Sequence, residues 1–180
     1  MPRRPALALS LAIDGRSALV VGSGISADER ASRLRAAGAA VRQVDPAEYR
    51  TDMCADVFLV VAQSGNPELD RRVTADAAAA GAALRYAHDQ PHVSDFAFPA
   101  LARRGPLAVA ISTDGAAPAL ARRLREEVSR LLDEAGAELD ALLRELEHER
   151  EEWAPSPERA DRLYRLACRL QVAGRLEIEP

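Results

Sequence analysis

The chain has 180 residues, a formal net charge of −4 and only 4% aromatic residues. A chain of this length buries a substantial core and predicts one domain with an appendage. The negative charge and the scarcity of aromatic residues disfavour a nucleic-acid partner. No apolar run approaches the roughly 18 residues that a membrane-spanning helix needs. All 24 basic residues are arginine, which excludes lysine Schiff-base chemistry and a Walker-type phosphate site.

The N-terminus and the cysteines indicate the compartment. Residues 1–9 resemble a signal peptide only faintly, because charged and polar residues soon interrupt the apolar part, so a frayed start is expected. Cys54 and Cys168 fit neither a metal-ligand spacing nor a redox pair. The sequence therefore predicts a cytoplasmic protein with reduced cysteines and no contact with a membrane.

A glycine turn follows the first apolar run of the chain and precedes a helical pattern. Gly22 permits a tight turn after a strand, and Gly24 permits close approach of the backbone to a pyrophosphate. The small Ala27 allows the helix to pack against the strand, while the helix N-terminus attracts the phosphate charge. The turn therefore predicts a dinucleotide site whose loop includes Ser23 and Ile25.

A second apolar run, 40–44, closes on Asp45, roughly 20 residues after the glycine turn. An acidic residue at this offset is suited to bind an adenosine ribose 2′-OH, which favours NAD over NADP. Arg42 keeps NADP open as the cofactor. An alternative interpretation is that Asp45 only begins a turn with Pro46.

Strand-like and helical patterns alternate through the first half of the chain. This alternation predicts an α/β fold with a Rossmann-like parallel sheet, in which the continuously apolar run 57–62 belongs to a central strand. The predicted strands are 17–21, 40–44, 56–62 and 82–87, and the predicted helices are 26–37 and 67–80.

A strand pair and a helical region are predicted to follow this sheet. The strand-like runs 96–101 and 107–112 flank a turn at 103–106, and Pro99 indicates an edge or a bulge. From Ala116 onward an amphipathic helical stripe predicts a region for dimerisation or for covering a substrate, split at Gly136. A last helix starts at Ser156 or Pro157 and extends through Leu170. The predicted domains are 1–112 and 113–180.

Polar residues follow the predicted strands, where open α/β sheets bind their ligands. Gln63 follows the central strand, and Asp89 is the best candidate for acid–base work beside a nicotinamide. Asp89 as a plain turn residue before Pro91 is the alternative. A permanent metal site at His88 and His92 is disfavoured because Pro91 opposes a helix there. Transient contact of a metal ion with Asp89 or His88 stays open.

The chain resembles the N-terminal module of siroheme synthase, which is the precorrin-2 dehydrogenase and sirohydrochlorin ferrochelatase family. The resemblance covers roughly residues 9–130, with the matching segments in order and with family-like spacing. These segments are Leu9 to Arg16, Val20 to Gly24, Ala37 to Ala39, Ala55 to Ala62, Ser94 to Ala100, Arg104 to Gly115 and Pro118 to Arg125.

The resemblance implies NAD-dependent oxidation of precorrin-2 to sirohydrochlorin, and in bifunctional members the insertion of Fe²⁺ to give siroheme. It also implies a homodimer. Asp89 matches the family's catalytic aspartate, and Thr113 falls in its tetrapyrrole-side loop, beside Asp114. Arg122 is one of several arginines suited to bind the substrate's carboxylates, with a solvated surface charge as the alternative.

The chain also departs from the family pattern. The family commonly has three glycines in the turn, Arg-Lys in the first helix, an acidic pair after the third strand, an asparagine before the aspartate loop and a glycine before Gly115. Here these positions hold Gly22-Ser23-Gly24, Glu29-Arg30, Gly65-Asn66, Tyr86 and Asp114. Two alternatives therefore stay open, a tetrapyrrole metal chelatase without dehydrogenase activity and a non-catalytic module that binds a nucleotide or tetrapyrrole.

Overall fold

The computed structural model describes residues 7–173, which form two compact units, 7–98 and 99–173. The frayed start predicted for the first residues lies largely outside the described part. The first unit is built from a parallel sheet with helices on its faces. Its elements are β1 (Ser17–Val21), α1 (Ile25–Ala36), β2 (Ala40–Val44), β3 (Leu59–Ala62), α2 (Pro67–Ala79) and β4 (Leu84–Ala87), with two short 3₁₀ turns, Pro46–Glu48 and Thr51–Cys54.

The four parallel strands lie in the order β2-β1-β3-β4. The chain first moves from β1 to β2 on one side and then crosses to β3 on the other side of β1. The strand order therefore reverses between β1 and β3, and such a switch point opens a crevice at the carboxyl ends of the strands.

Continuous burial explains why β1 and β3 are the inner strands. Leu19, Val20, Val60 and Val61 are fully buried, and their β-branched or aliphatic side chains alternate between the two faces. One face packs against the alanine-rich side of α1, and the other packs against α2 through Val73. The predicted Rossmann-like parallel sheet and its central strand are confirmed, but β3 begins at Leu59 and not at residue 56, and β4 begins at Leu84 and not at residue 82. Asp56, with φ 57°, lies in the turn before β3.

The second unit contains an antiparallel strand pair and helices. It comprises β5 (Ala100–Arg104), β6 (Leu107–Ile111), α3 (Pro118–Glu152) and α4 (Pro157–Ala167). Gly136, with φ 47° and ψ −131°, interrupts α3, as predicted. Arg104 holds β5 to α3 through two hydrogen bonds to Asp140, 2.8 Å from Nε to Oδ1 and 2.6 Å from Nη2 to Oδ2.

The predicted strand at 96–101 is wrong. The strand begins only at Ala100 and continues to Arg104, so the turn is the pair Gly105-Pro106. Phe96 and Phe98 instead pack against Tyr86 with ring centroids 5.7 and 5.2 Å apart. The alternation of this run therefore reflects aromatic packing on the first unit's core and not a strand.

The predicted last helix does start at Ser156, whose Oγ accepts a hydrogen bond from the Arg159 N–H at 3.1 Å, but it ends at Ala167 and does not reach Leu170. The boundary between the two compact units lies after Phe98, so β5 and β6 belong to the same unit as the helices α3 and α4. The predicted boundary lies after residue 112. The division into functional domains stays a prediction. Within residues 7–173, no helix is long and apolar enough to cross a membrane.

Candidate functional site

The carboxyl ends of the four parallel strands carry the first unit's candidate site residues. Backbone hydrogen bonds continue the ladder past the strand ends: Gly22 donates to Val44 O at 3.0 Å, and Gln63 donates to Val21 O at 2.8 Å. Likewise, His88 donates to the carbonyl oxygen that ends β3 at 3.0 Å. The loops that follow β1, β3 and β4 are therefore held side by side along one edge of the sheet.

Gly22 and Gly24 are needed for different physical reasons. A Cβ on Gly22 would lie 2.3 Å from the carbonyl oxygen of Gln63, so β1 and β3 approach closely only because this residue has no side chain. Gly24 has φ +85°, which disfavours any side chain, and open space lies above its Cα. Gly24 is also the N-cap of α1 and supplies no side chain to occupy the helix's first N–H groups.

The neighbouring Ser23 and Ile25 are exposed, with Ile25 80% accessible. A large apolar side chain this exposed at a helix N-terminus is available to cover a ligand on the glycine turn. The loop thus combines unoccupied N–H groups, an open backbone and an apolar side chain.

Gln63 lies directly beneath the crevice at the end of β3. It is only 9% exposed, and its Oε1 atom is buried without a hydrogen-bond partner among the described residues. A buried amide oxygen without a partner costs about 1–3 kcal/mol, so a ligand's hydrogen-bond donor would relieve it. This orphaned atom and the open glycine turn fit a bound dinucleotide.

Asp45 lies at the end of β2, next to β1, and its Oδ1 atom accepts a hydrogen bond from the Ala47 N–H at 2.9 Å. The carboxylate thus caps a 3₁₀ turn that begins at Pro46, which is the alternative weighed from the sequence. Its role towards a ribose stays a prediction. Arg42, which kept NADP open, donates to the carbonyl oxygen of Met53.

Asp89 follows β4 in a tight turn and presents its carboxylate to solvent. Its φ of +54° is unusual for a residue with a side chain, and the side chain is 87% exposed. The turn is closed by the Gln90 N–H, which donates to the Ala87 carbonyl oxygen at 3.2 Å. Gln90 is buried and donates its side-chain amide to Pro67 O at 3.0 Å, which anchors the turn to α2. Strained backbone of this kind clusters at functional sites.

The site contains two residues that were not among the predicted site residues. Arg30 of α1 donates from Nη2 to Tyr86 Oη at 2.8 Å, and its guanidinium carbon lies 4.8 Å from the Tyr86 ring centroid and 5.3 Å from that of Phe98. Tyr86 Oη is in turn 3.4 Å from His88 Nδ1, and His88 Nε2 is 3.4 Å from Asp89 Oδ2. Burial lowers the pKa of Arg30 and raises the pKa of Tyr86.

The signal for this pair was present in the sequence. Arg30 and Tyr86 both occupy positions at which the chain departs from its family pattern, yet they lie 56 positions apart. They come together only in the fold, because α1 covers the face of the sheet on which Tyr86 lies.

The three predicted substrate residues lie in the second unit, between β6 and the start of α3. Thr113 Oγ1 accepts a hydrogen bond from the Ala117 N–H at 3.1 Å and so closes the turn before α3. Asp114 is exposed, has φ +49°, and its N–H donates to Ser112 Oγ at 3.1 Å. Arg122 is exposed on the first turns of α3 and lines an open hollow of about 420 Å³. Their roles stay predictions.

Within residues 7–173, no group of three or more His, Cys, Asp or Glu side chains converges in a way that would hold a metal ion. His88 and Asp89 form a pair of nitrogen and oxygen donors, which is the transient candidate that the sequence named.

Two family models match the chain consecutively. The model described as "Putative NAD(P)-binding" matches residues 9–100, and the model described as "Sirohaem biosynthesis protein central" matches residues 104–131. The first covers the glycine turn and the aspartate loop, and the second covers the β5–β6 turn and the start of α3.

The curated relatives of the chain include several proteins named "Siroheme synthase". The chain is 35% identical over 137 residues to a "Siroheme synthase" of Neisseria meningitidis serogroup C (strain 053442), an alignment that covers 66% of this chain and 28% of the relative. It is 34% identical over 145 residues to a "Siroheme synthase" of Methylobacillus flagellatus, with 70% and 31% covered. The chain thus spans less than a third of the length of these relatives.

The solved structure of "SirC, precorrin-2 dehydrogenase" has the same fold, with a TM-score of 0.69, 24% sequence identity and 89% of each chain covered. The resemblance stated from the sequence is confirmed. From the match over residues 9–100, the sirohaem-biosynthesis segment that follows it and the identity to curated relatives, the chain belongs to the putative NAD(P)-binding family and is a relative of the siroheme synthases.

Proposed function

We propose that the protein oxidises precorrin-2 to sirohydrochlorin with NAD⁺ as hydride acceptor, with Asp89 as the acid–base group. The observation that carries this proposal is the placement of the glycine turn and Asp89 along one carboxyl edge, on either side of the β1–β3 switch point. The names of the relatives and of the solved structure support the reaction.

The order of the strands suggests how the cofactor lies. The three strand spacings from β2 to β4 amount to about 14 Å. Asp45 lies at the β2 end and would bind the adenosine ribose, and Gly24 with the N-terminus of α1 would bind the pyrophosphate. Gln63, with its orphaned Oε1, then lies beneath the part of the cofactor that points towards β4. The nicotinamide supplies hydride acceptance when bound.

Asp89 is suited to the proton half of the reaction. Dehydrogenation removes a hydride and a proton, so a base must receive the proton while the hydride leaves to the cofactor. The exposed carboxylate of Asp89, fixed on a tight turn after β4, is free to approach a large substrate. The other residues act by orienting cofactor and substrate. In the second unit, Thr113, Asp114 and Arg122 are the proposed contacts to the tetrapyrrole and its carboxylates.

The variant Asp89→Asn tests this function, with Asp56→Asn as its matched control. Both residues are aspartates at positive φ, +54° and +57°, but Asp56 precedes β3 and so lies at the amino edge of the sheet. Loss of a general base lowers kcat about 10²- to 10⁴-fold. We expect that loss in Asp89→Asn only, measured as NADH formation from purified precorrin-2 and NAD⁺. Full NADH formation by Asp89→Asn would contradict the assignment.

The same assay separates the alternatives. Wild-type protein that forms no NADH but inserts Fe²⁺ into sirohydrochlorin would be a chelatase, in which His88 and Asp89 are the donors closest to one another at the site. Protein that binds NAD⁺ or tetrapyrrole without either reaction would be a carrier. Production of both NADH and siroheme would identify a bifunctional enzyme.

We further propose that the protein is a cytoplasmic homodimer. Large apolar side chains on the helices of the second unit and in the turn between them support this, since Leu120, Leu131, Trp153 and Tyr164 are 44–73% exposed. Exposed apolar side chains in such number on one pair of helices are typical of an interface. A molecular mass near 19.4 kDa in light scattering would identify a monomer and refute the dimer.

A further inference from the structure

We infer that Arg30, Tyr86 and His88 form a hydrogen-bond relay that keeps the His88 proton on Nε2, directed at Asp89, and so holds the Asp89 carboxylate in position. The hydrogen bonds and the proton position at His88 do not depend on which reaction the protein catalyses. The effect of the relay on kcat rests on the proposed dehydrogenase function.

The relay begins at Arg30 because its guanidinium has one direction of hydrogen bonding only. Arginine has N–H donors and no acceptor, so Tyr86 Oη must accept from Nη2 at 2.8 Å. The Nε and Nη1 atoms of Arg30 are buried without a hydrogen-bond partner among the described residues, and two aromatic rings flank the group. This packing fixes the guanidinium in place with Tyr86 Oη as the acceptor of its Nη2 hydrogen bond.

The Tyr86 hydroxyl accepts one hydrogen bond and donates the next. Its ring is 9% exposed, packs against Phe96 and Phe98, and therefore has little freedom to turn its hydroxyl elsewhere. Since the oxygen already accepts from Arg30, the O–H is left to donate, and His88 Nδ1 lies 3.4 Å away. This hydrogen bond is long but within the range in which a hydroxyl donates to an imidazole nitrogen.

His88 then directs a hydrogen-bond donor, its Nε2–H group, at Asp89. A neutral imidazole whose Nδ1 accepts carries its proton on Nε2, and Nε2 lies 3.4 Å from Asp89 Oδ2. His88 thus offers an N–H to a carboxylate that is otherwise 87% exposed on a strained turn. His88 is a positioning residue in this arrangement, and Arg30 and Tyr86 act through it.

The first test is spectroscopic and needs no substrate. In ¹⁵N-labelled protein, with His88 assigned by the variant His88→Gln, we expect the proton on Nε2 and an Nδ1 resonance that moves in Tyr86→Phe. Tyr49→Phe is the matched control, because Tyr49 is equally buried but its hydroxyl bonds Asp76 at 2.8 Å on the opposite face of the sheet. A wild-type proton on Nδ1, or an Nδ1 resonance identical in Tyr86→Phe and wild type, would overturn the relay.

The second test is a kinetic cycle with precorrin-2 and NAD⁺. Loss of such an outer partner typically lowers activity 10- to 100-fold, so we expect Tyr86→Phe to lower kcat about tenfold with little change in KM. The same substitution in a His88→Asn background should have almost no further effect, because the relay is already cut. An equal loss of kcat in both backgrounds would show that Tyr86 acts on Asp89 by another route and would refute the relay.

A conservative pair at His88 checks the polarity of the last step. Glutamine places an N–H near the position of Nε2, whereas asparagine reaches only the position of Nδ1. His88 is partly exposed, with 41% of its side chain accessible, so both variants are expected to fold. We expect His88→Gln to retain several-fold more kcat than His88→Asn. Equal kcat in the two variants would exclude an N–H donated to Asp89. If the wild type forms no NADH at all, the proposed function fails, and the spectroscopic test still decides the relay.

Discussion

Replacing Gly24 by alanine separates the conformational role of the glycine turn from its role in cofactor binding. Gly24 has φ +85° and ψ 175°, a conformation that only glycine adopts readily. Apart from its two chain neighbours, no residue that the structure describes comes within 4 Å of the site where a Cβ would stand. The cost to folding is therefore backbone strain alone, about 1–3 kcal/mol. Domains of this kind are typically stable by about 5–15 kcal/mol, so the variant is expected to fold.

Gly81 is the matched control for this substitution. It has φ +82° and equally open space, but it precedes β4 and so lies at the amino end of the sheet, away from the glycine turn. Gly81→Ala therefore also places a side chain at a positive φ without a steric clash, and it controls for the strain of substituting an open glycine. Only Gly24→Ala places a methyl group where the proposed pyrophosphate approaches the backbone. We expect at least a tenfold weaker NAD⁺ affinity in that variant, equivalent to about 1.4 kcal/mol.

The assay combines urea unfolding of both variants with calorimetric titration of NAD⁺. The expected pattern is a loss of stability in both variants and a loss of NAD⁺ affinity in Gly24→Ala alone. Equal NAD⁺ affinity in the two variants would refute the placement of the cofactor on this turn.

Three further substitutions test the framework around the site. Gly22→Ala should destabilise the first unit by about 1–3 kcal/mol in urea unfolding, since its Cβ would meet the Gln63 carbonyl oxygen at 2.3 Å. Hydrogen bonds from Arg85 lower the pKa of Asp95. The pair therefore stabilises the folded protein fully at pH values above the ordinary aspartate pKa. This stabilisation is lost as the pH falls through the lowered pKa. Asp95→Asn should therefore cost about 1 kcal/mol at neutral pH, and the difference from wild type should shrink below about pH 4 in a pH series of unfolding curves. Ser156→Ala should remove the N-cap of α4 and lower the free energy of unfolding by about 1 kcal/mol, which thermal unfolding monitored by circular dichroism would measure.

The parts of the fold that could be predicted from the sequence are those in which one local rule decides. Continuous apolar runs identify β1 and β3 because both faces of these strands are covered, and Gly22 with Gly24 marks the turn that follows. Residues 96–101 resemble a strand in sequence because Phe96 and Phe98 alternate with smaller or polar residues. Such a period of two also arises when alternate aromatic side chains pack on a neighbouring core without any strand partner. Local periodicity reports which side chains are buried, and it does not report what the backbone pairs with.

The site shows the same limit at longer range. The sequence places Asp89 at the end of a strand, because strand ends follow from local pattern, but the surroundings of that carboxylate depend on residues of α1.

Two departures from the family pattern, Arg30 and Tyr86, were weighed from the sequence as separate changes. In the structure they are one feature, since the Arg30 guanidinium stacks on the Tyr86 ring and bonds its hydroxyl. The Nε and Nη1 atoms of Arg30 are buried without a hydrogen-bond partner among residues 7–173. If position 86 held an asparagine, this arginine would be costly to bury, because the aromatic face and the fixed acceptor would both be lost. The tyrosine alone would in turn lose the donor that sets the direction of its O–H towards His88. Each residue is therefore explained by the other, and together they alter the surroundings of the Asp89 loop without changing Asp89 itself.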